Sequence, residues 1–103
     1  MGKLGYPFRP YHPGELLKEE LECRNIQQKE FAQKFGVPYT ALNEVLNAKR
    51  PVSTDLAFLM EAALGVNADL LIRMQASYNI QVARQDKNLP NFFRQIQRVA
   101  AAF

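Results

Sequence analysis

Residues 26–50, IQQKEFAQKFGVPYTALNEVLNAKR, contain two short helical patterns separated by one glycine. Phe31 and Phe35 are four residues apart and lie on one face of the first pattern, where the small Ala32 lets another helix approach closely. Gly36 follows at a point where the chain turns sharply, and glycine adopts the left-handed conformation found past helix ends without steric cost. The sequence therefore predicts two helices joined by a tight turn that starts at Gly36.

The second helical pattern has an apolar side and a polar side. Leu42, Val45 and Leu46 recur at offsets of three and four, which places them on the buried face, and Val37 in the turn also points to the core. The side chains on or beside the other face are Tyr39, Thr40, Asn43, Glu44 and Asn47. This helix can therefore present polar groups outward while its apolar side is buried.

Five residues of this stretch are spaced as in the helix-turn-helix of the Cro and phage-repressor family, which it resembles. They are Gln28, Ala32, Gly36, Leu42 and Val45. An ordinary helical hairpin that uses a glycine is the alternative. The sequence departs from the family at Pro38, because a Ser or Thr usually caps the second helix there and proline has no side-chain oxygen. Proline suits a first helical position, so we expect the turn to form with different capping.

The composition sets bounds on the class of protein. A chain of 103 residues with 48% hydrophobic residues predicts one compact domain with short extensions. Lys and Arg total 13 against 10 acids, and this net charge of +3 permits nucleic-acid binding without requiring it. The single Cys23 cannot form an internal disulfide, so we expect a cytoplasmic location, with Cys23 half-buried on a helix. No apolar run approaches the roughly 20 residues that cross a bilayer, so no membrane partner is expected.

The remaining segments predict further helices around this motif. Residues 1–11 combine glycines, prolines and aromatics and predict an extended arm that packs on the domain or on a partner. The first helix starts at His12, with Pro13 in the first helical position and Glu15 reaching back to the free N–H groups. Two later helices start at the caps Ser53 and Asn67, and the first of these ends at Gly65.

The predicted fold is all-α, with a five-helix repressor-like helix-turn-helix domain in residues 12–85 and an additional amphipathic helix in residues 86–103. Asp86–Asn91, which includes Pro90, is expected to separate the two. The last helix has no acids and a row of apolar residues, which needs a partner in the domain itself or in a second subunit. The row consists of Phe92, Phe93, Ile96, Val99, Ala100 and Phe103.

Candidate residues for catalysis or metal binding have simpler structural explanations. His12 is the only histidine and has no Cys or acidic partner at metal-ligand spacing, so it is expected to be a helix-start residue. The acids of the first helix line its charged outer face. The sequence has no nucleophile with a neighbouring base, no metal cluster and no phosphate-binding glycine loop. We therefore expect no enzyme activity, no metal and no cofactor.

Several segments together resemble HigA-type antitoxins, over about residues 9–85. They are HPGELLKEE at 12–20, the helix-turn-helix, LNAKRPV at 46–52 and MQASYN at 74–79. Ala48 stands where the family commonly has a glycine. The resemblance implies a bacterial repressor that binds its own operator as a dimer and neutralises a ribosome-dependent ribonuclease toxin, HigB. The residues themselves support DNA binding but not toxin binding. Two alternative functions therefore remain, a stand-alone transcriptional regulator and a helical protein-interaction module.

Three sets of residues are predicted to bind partners. The set for double-stranded operator DNA is Gln28, Pro38, Tyr39, Thr40, Asn43, Glu44, Asn47, Lys49 and Arg50. The set for a HigB-like toxin is Glu19, Glu20 and Glu22, because a nuclease that grips RNA displays positive charge; a merely solvated face is the alternative. The set for a homodimer is Leu70, Met74, Tyr78, Ile96, Val99 and Phe103.

Overall fold

The computed structural model describes residues 10–103, and this range contains six α-helices and no β-strand. The helices are α1 (Pro13–Cys23), α2 (Gln28–Phe35), α3 (Tyr39–Leu46), α4 (Thr54–Leu64), α5 (Ala68–Arg84) and α6 (Leu89–Ala100). The all-α prediction, with five helices and an additional C-terminal helix, is confirmed. Residues 1–9 of the predicted arm lie outside the described residues.

Three helices begin at the caps expected from the sequence. At α1, His12 Nδ1 accepts from the Gly14 N–H at 2.9 Å and Glu15 Oε2 accepts from the His12 N–H at 3.2 Å, which completes a capping box. Ser53 Oγ accepts from the third residue of α4 at 3.1 Å, and Asn67 Oδ1 accepts from the third residue of α5 at 2.9 Å. Each cap satisfies backbone N–H groups that have no partner within the helix.

The turn between α2 and α3 follows the prediction, with one shift in position. Gly36 has a φ of 71° and ends α2, and the Val37 N–H donates back to the Ala32 carbonyl at 2.9 Å. Pro38 is extended, with φ −57° and ψ 130°, so it precedes α3 instead of opening it as expected. No side chain caps α3, which is the departure that Pro38 implied.

The core lies among the first five helices. Helix α3 packs on α1 and α2, and α5 packs on α1 and α4. The buried apolar residues are Leu17, Leu21, Phe31, Ala32, Leu42, Val45, Leu46, Val52, Ala57, Met60, Leu64, Val66, Ala68 and Leu71. Full burial of a Leu or Phe side chain contributes about 1.5–3 kcal/mol. This core holds the apolar side of α3 and leaves its polar side on the surface.

Two sequence-based expectations were wrong. Cys23 is exposed, because it is the last residue of α1 and its side faces away from the core. The break before the last helix is shorter than predicted, since α6 starts at Leu89 and accommodates Pro90 in its first turn, where the missing N–H costs nothing. Every residue from Pro90 to Phe103 is exposed.

Candidate nucleic-acid interface

Helix α3 presents the polar face that the sequence predicted. Tyr39 and Thr40 are exposed at its N-terminal end, Asn43 and Glu44 are half-buried in its middle, and Asn47 is exposed just past its last residue. Pro38 is exposed immediately before the helix. The structure therefore brings these six side chains to one side of the domain.

Asn43 is held in one orientation by its neighbours. Its Nδ2 donates to Gln28 Oε1 at 2.9 Å, which joins the first residue of α2 to the middle of α3. Its Oδ1 accepts from Asn47 Nδ2 at 3.2 Å, and the same Nδ2 also donates to the Asn43 carbonyl at 3.0 Å. A side-chain amide fixed in this way loses little conformational entropy when it binds a ligand.

Glu44 and Arg50 form an ion pair across the end of the helix. Glu44 Oε1 accepts from Arg50 Nε at 3.0 Å and from Arg50 Nη2 at 2.7 Å. Both side chains are partly exposed, so the pair contributes little to stability. It brings together two residues of the predicted DNA-binding set, and Lys49 of the same set lies exposed next to Arg50 in the chain.

The loop after α3 is closed by a Schellman motif with an alanine in the left-handed position. Ala48 has a φ of 62°, its N–H donates to the Val45 carbonyl at 3.0 Å, and the Lys49 N–H donates to the Glu44 carbonyl at 2.8 Å. An L-residue pays roughly 1–2 kcal/mol in this conformation because its Cβ crowds the next carbonyl. The backbone that directs Lys49 and Arg50 is thus intact, and Ala48 is strained.

The start of α1 supports the same loop from behind. A Cβ on Gly14 would lie 1.8 Å from the Val45 carbonyl oxygen, so the first turn of α1 and the last turn of α3 are in backbone contact. The buried His12 ring packs edge-on against Tyr78 of α5, with ring centroids 4.7 Å apart. The backbone of Arg50 also lies close to the His12 ring. The motif His12–Glu15 therefore joins α1, α5 and the loop that carries Arg50.

The pKa of His12 is lowered below its ordinary value of 6.5. Burial is the main cause, because the charged ring loses solvation, while the Glu15 carboxylate and the backbone of Arg50 act in the opposite direction. A neutral ring is what the cap requires, since Nδ1 must keep its lone pair to accept from the Gly14 N–H.

Two lysines on this surface were missed by the sequence analysis. Lys18 Nζ lies 3.5 Å from Asn47 Oδ1, and Lys29 Nζ lies 5.9 Å from the centre of the Tyr39 ring. Both line a surface depression together with Gln28 and Asn43. Lys29 directly follows Gln28 in the first turn of α2, which was a signal available in the sequence. Lys18 was hidden among the glutamates of α1.

The three acids of α1 that are predicted to bind a toxin do not act as one cluster. Glu20 forms an ion pair with Arg24 at 3.3 Å, and Glu19 Oε1 accepts from the Tyr11 hydroxyl at 3.3 Å. Glu19 and the exposed Glu22 line a groove that also includes Asn47 and Ala48. Their carboxylates therefore border the C-terminal end of the α3 surface, and Glu20 is turned to a different partner.

The residues predicted for the dimer lie on surfaces of unequal exposure. Met74 and Tyr78 are half-buried against the domain, whereas Leu70 is exposed. The exposed large apolar residues of α5 include Ile72 and Ile80, which the sequence analysis did not select. On α6 the predicted residues Ile96, Val99 and Phe103 are all exposed.

No group of three His, Cys, Asp or Glu side chains is placed to hold a metal ion within residues 10–103. In the same part of the chain, none of the helices has the length and apolar character needed to span a bilayer.

Known proteins with the same fold are antitoxins and regulators. The profile of the helix-turn-helix family matches residues 17–71, more than half of the chain. Virulence-associated protein I of Dichelobacter nodosus is 31% identical over 81 residues, which cover 78% of this chain and 75% of that protein. The Pseudomonas aeruginosa antitoxin HigA, solved with the higBA promoter, superposes with a TM-score of 0.70 at 26% identity, over 87% of this chain and 94% of that one.

An addiction-module antidote protein of the HigA family from Coxiella burnetii is also similar. It has a TM-score of 0.68 and 25% identity, and the match covers 88% of this chain and 95% of that one. The helix-turn-helix profile, the D. nodosus relative and the two antitoxin structures agree with the geometry of α2 and α3. The chain therefore belongs to the helix-turn-helix family, and HigA-type antitoxins are among the solved structures similar to it.

Proposed function

We propose that this protein is the antitoxin of a toxin–antitoxin module and represses its own operator through α3. The observation that carries the proposal is the polar face of α3, where Asn43 is held by Gln28 and Asn47 within a border of basic side chains. The border consists of Lys18, Lys29, Lys49 and Arg50. The similarity of the whole chain to an antitoxin solved with promoter DNA supports DNA binding through this face.

The proposed contacts divide into base reading and phosphate binding. Tyr39, Thr40, Asn43 and Glu44 meet base edges in the major groove, because they occupy the first turns and the outer face of α3. Asn pairs with adenine through two hydrogen bonds, and a carboxylate accepts from the amino group of cytosine. The phosphate contacts come from Gln28, Lys49 and Arg50. The other two residues of the predicted set, Pro38 and Asn47, flank α3 at its two ends.

The proposed working unit is a homodimer on an inverted repeat. A single helix of eight residues reads too few bases for a useful specificity ratio. Two-fold symmetry doubles the readout, with half-sites about 34 Å apart.

The toxin-binding half of the proposal rests on α1. Glu19 and Glu22 provide negative charge in a shared groove, and acids at such a place attract the basic surface of a ribonuclease. Glu20 stays in the proposed set as a minor contributor, because its carboxylate is already paired with Arg24. Charge complementarity of this kind raises the association rate more than the final affinity.

The DNA-binding proposal is tested by substituting Asn43 and Arg50 separately and measuring binding to the upstream promoter and to random DNA. Asn43→Ala should cost roughly 1–3 kcal/mol on the promoter and little on random DNA. Arg50→Ala should weaken both and flatten the salt slope by about one unit. Gln81→Ala, on the exposed side of α5, is the matched control and should change neither. Equal losses on both DNAs for Asn43→Ala would remove its base-reading role.

The toxin proposal is tested with the product of the neighbouring gene. Reversal of Glu19 and Glu22 to Lys should slow capture of that protein at low salt, while helicity stays intact and promoter binding is not weakened. Glu30→Lys is the control, because Glu30 is an exposed acid on a different helix. If the double reversal captures the protein as fast as the parent, α1 is not the docking site. If no neighbouring product binds the parent, the protein is a stand-alone regulator.

A further inference from the structure

Helix α6 carries an apolar row that no residue within 10–103 covers. Phe92, Phe93, Ile96, Val99 and Phe103 are each at least half exposed, and Val99 is 61% exposed. They recur at offsets of one, three, three and four, so they form one continuous face of the helix. An exposed face of this size on a single helix marks a site of association.

A second apolar surface lies on the body of the domain. Phe58 of α4 is 58% exposed, and with Ile72 of α5 it lines a groove of about 380 Å³ between the two helices. The groove floor is formed by Ala57 and Ala68. Ile80, two turns further along α5, is 51% exposed. The groove is therefore open and partly apolar, and exposed apolar surface continues beyond it along α5.

The connection between α5 and α6 directs α6 away from this groove in its own chain. Gln85 and Asn88 both have right-handed helical backbone angles. The Asn88 N–H donates to Asp86 Oδ1 at 2.9 Å, and the Leu89 N–H donates to the Asp86 carbonyl at 3.1 Å. These bonds hold the connection between the two helices, and every residue from Pro90 to Phe103 is exposed instead of packed on the domain. The radius of gyration of 17.6 Å, against about 13 Å expected for a compact domain of this length, agrees with an α6 that projects from the body.

Helix α6 is basic, and the margin of the groove offers acids to it. Helix α6 has no acid and carries Arg94 and Arg98 beside its apolar row. The groove is lined by Asp69 and by Arg73, whose Nε donates to the Asp69 carbonyl at 3.4 Å, and Asp55 lies exposed in the first turn of the adjoining α4. Neither aspartate forms an ion pair within the described residues, so both carboxylates are available to arginines that arrive from outside.

We infer that α6 of one copy occupies the groove between α4 and α5 of a second copy, and that the two copies exchange their last helices. The inference rests on the homodimer of the proposed function and names the surface that forms it. Enclosing the apolar row of α6 in the groove removes on the order of 800 Å² per exchange, and the two exchanges of a symmetric dimer approach the ~1,600 Å² of a stable interface.

The test also distinguishes two other ways in which these surfaces could be covered. A fold-back of α6 onto its own groove covers the same residues but requires the hydrogen-bonded connection at Asp86 to open. An anionic membrane also attracts a basic amphipathic helix. It leaves Phe58 and Ile72 uncovered, so it does not account for the groove.

The decisive experiment cross-links the two surfaces in the full-length chain with Cys23 replaced by Ser. Chains carrying Phe58→Cys are mixed with mass-tagged chains carrying Ile96→Cys and treated with a short bismaleimide. Exchange predicts a cross-linked species that contains one chain of each mass. Lys34→Cys replaces Phe58→Cys in the control mixture, because Lys34 is exposed on α2, and it should give no product.

Sedimentation of the parent chain and of Phe58→Ser completes the test. The parent should be a dimer. The dimer of Phe58→Ser should have a dissociation constant roughly tenfold higher or more, without loss of helicity. A monomeric parent that binds anionic vesicles overturns both the dimer and the exchange. A dimeric parent whose cross-links join only α6 to α6 leaves the dimer in place and overturns the exchange. Phe58→Cys/Ile96→Cys chains that cross-link within one copy show fold-back, which also overturns it.

Discussion

Replacement of Ala48 by glycine should stabilise the protein. Ala48 occupies the left-handed position of the Schellman motif after α3, with a φ of 62°. The conformation costs an L-residue roughly 1–2 kcal/mol. Glycine removes that cost but loses about 0.5–1 kcal/mol more backbone entropy on folding. The difference predicts a gain of about 1 kcal/mol in the free energy of unfolding.

Thermal and urea unfolding followed by circular dichroism measure this gain. For a domain of this size, about 1 kcal/mol raises Tm by roughly 4–8 °C. Asn25 provides an internal comparison, because it has a φ of 60° at the end of α1 and asparagine tolerates that conformation better than alanine. Asn25→Gly should therefore gain less than Ala48→Gly.

The control for the glycine substitution is Ala76→Gly, at an exposed position inside α5. It should lose about 1 kcal/mol, since glycine weakens a helix interior. If Ala48→Gly melts at or below the parent temperature while Ala76→Gly behaves as expected, the positive φ at Ala48 stores no strain and the reasoning is wrong.

Three further substitutions follow from the same structure. Because the pKa of His12 is lowered in the folded protein, the unfolded chain binds more protons than the folded one below pH 6.5, so the free energy of unfolding should be constant above about pH 7.5 and fall as the pH drops below 6.5. His12→Asn should flatten that change in urea titrations from pH 7.5 to 5.5. Gly14→Ala should abolish the native melting transition or lower its Tm strongly, because its Cβ would lie 1.8 Å from the Val45 carbonyl oxygen, and an unchanged Tm would contradict the backbone contact. Gln75→Ala should cost about 1–3 kcal/mol in urea unfolding, since the buried Val52 N–H loses its acceptor at 2.9 Å, and a loss under 0.5 kcal/mol would count against that hydrogen bond.

The helices and their ends were predictable because their signals are local. Gly36, Ser53 and Asn67 act through their own backbone or side-chain oxygens within a few residues, and the sequence placed each of them correctly. The start of α3 was predicted one residue too early, at Pro38 instead of Tyr39, since proline has the same φ in the last extended residue as in the first helical one.

The parts of the surface that depend on tertiary packing were less predictable. Periodicity indicated that Met74 and Tyr78 share a face, but only packing against His12 shows that this face is partly turned inward. Lys18 joins the α3 surface through the angle at which α1 crosses α3, and a sequence does not contain that angle. The predicted DNA-binding residues of α3 lie on the polar side that the sequence indicated. Their role in DNA binding stays a prediction until binding is measured.

The contact at Gly14 has a mechanical consequence. Packed side chains between two helices can change rotamer and absorb a small displacement, but at Gly14 the backbone of α1 lies directly against the Val45 carbonyl of α3, with no side chain between them. A ligand that shifts the first turn of α1 therefore moves the Val45 carbonyl and the loop behind it by a similar distance. Productive contacts tolerate only about 0.5 Å of error. A molecule bound on α1 can thus alter how α3 meets a base edge without touching any residue of α3.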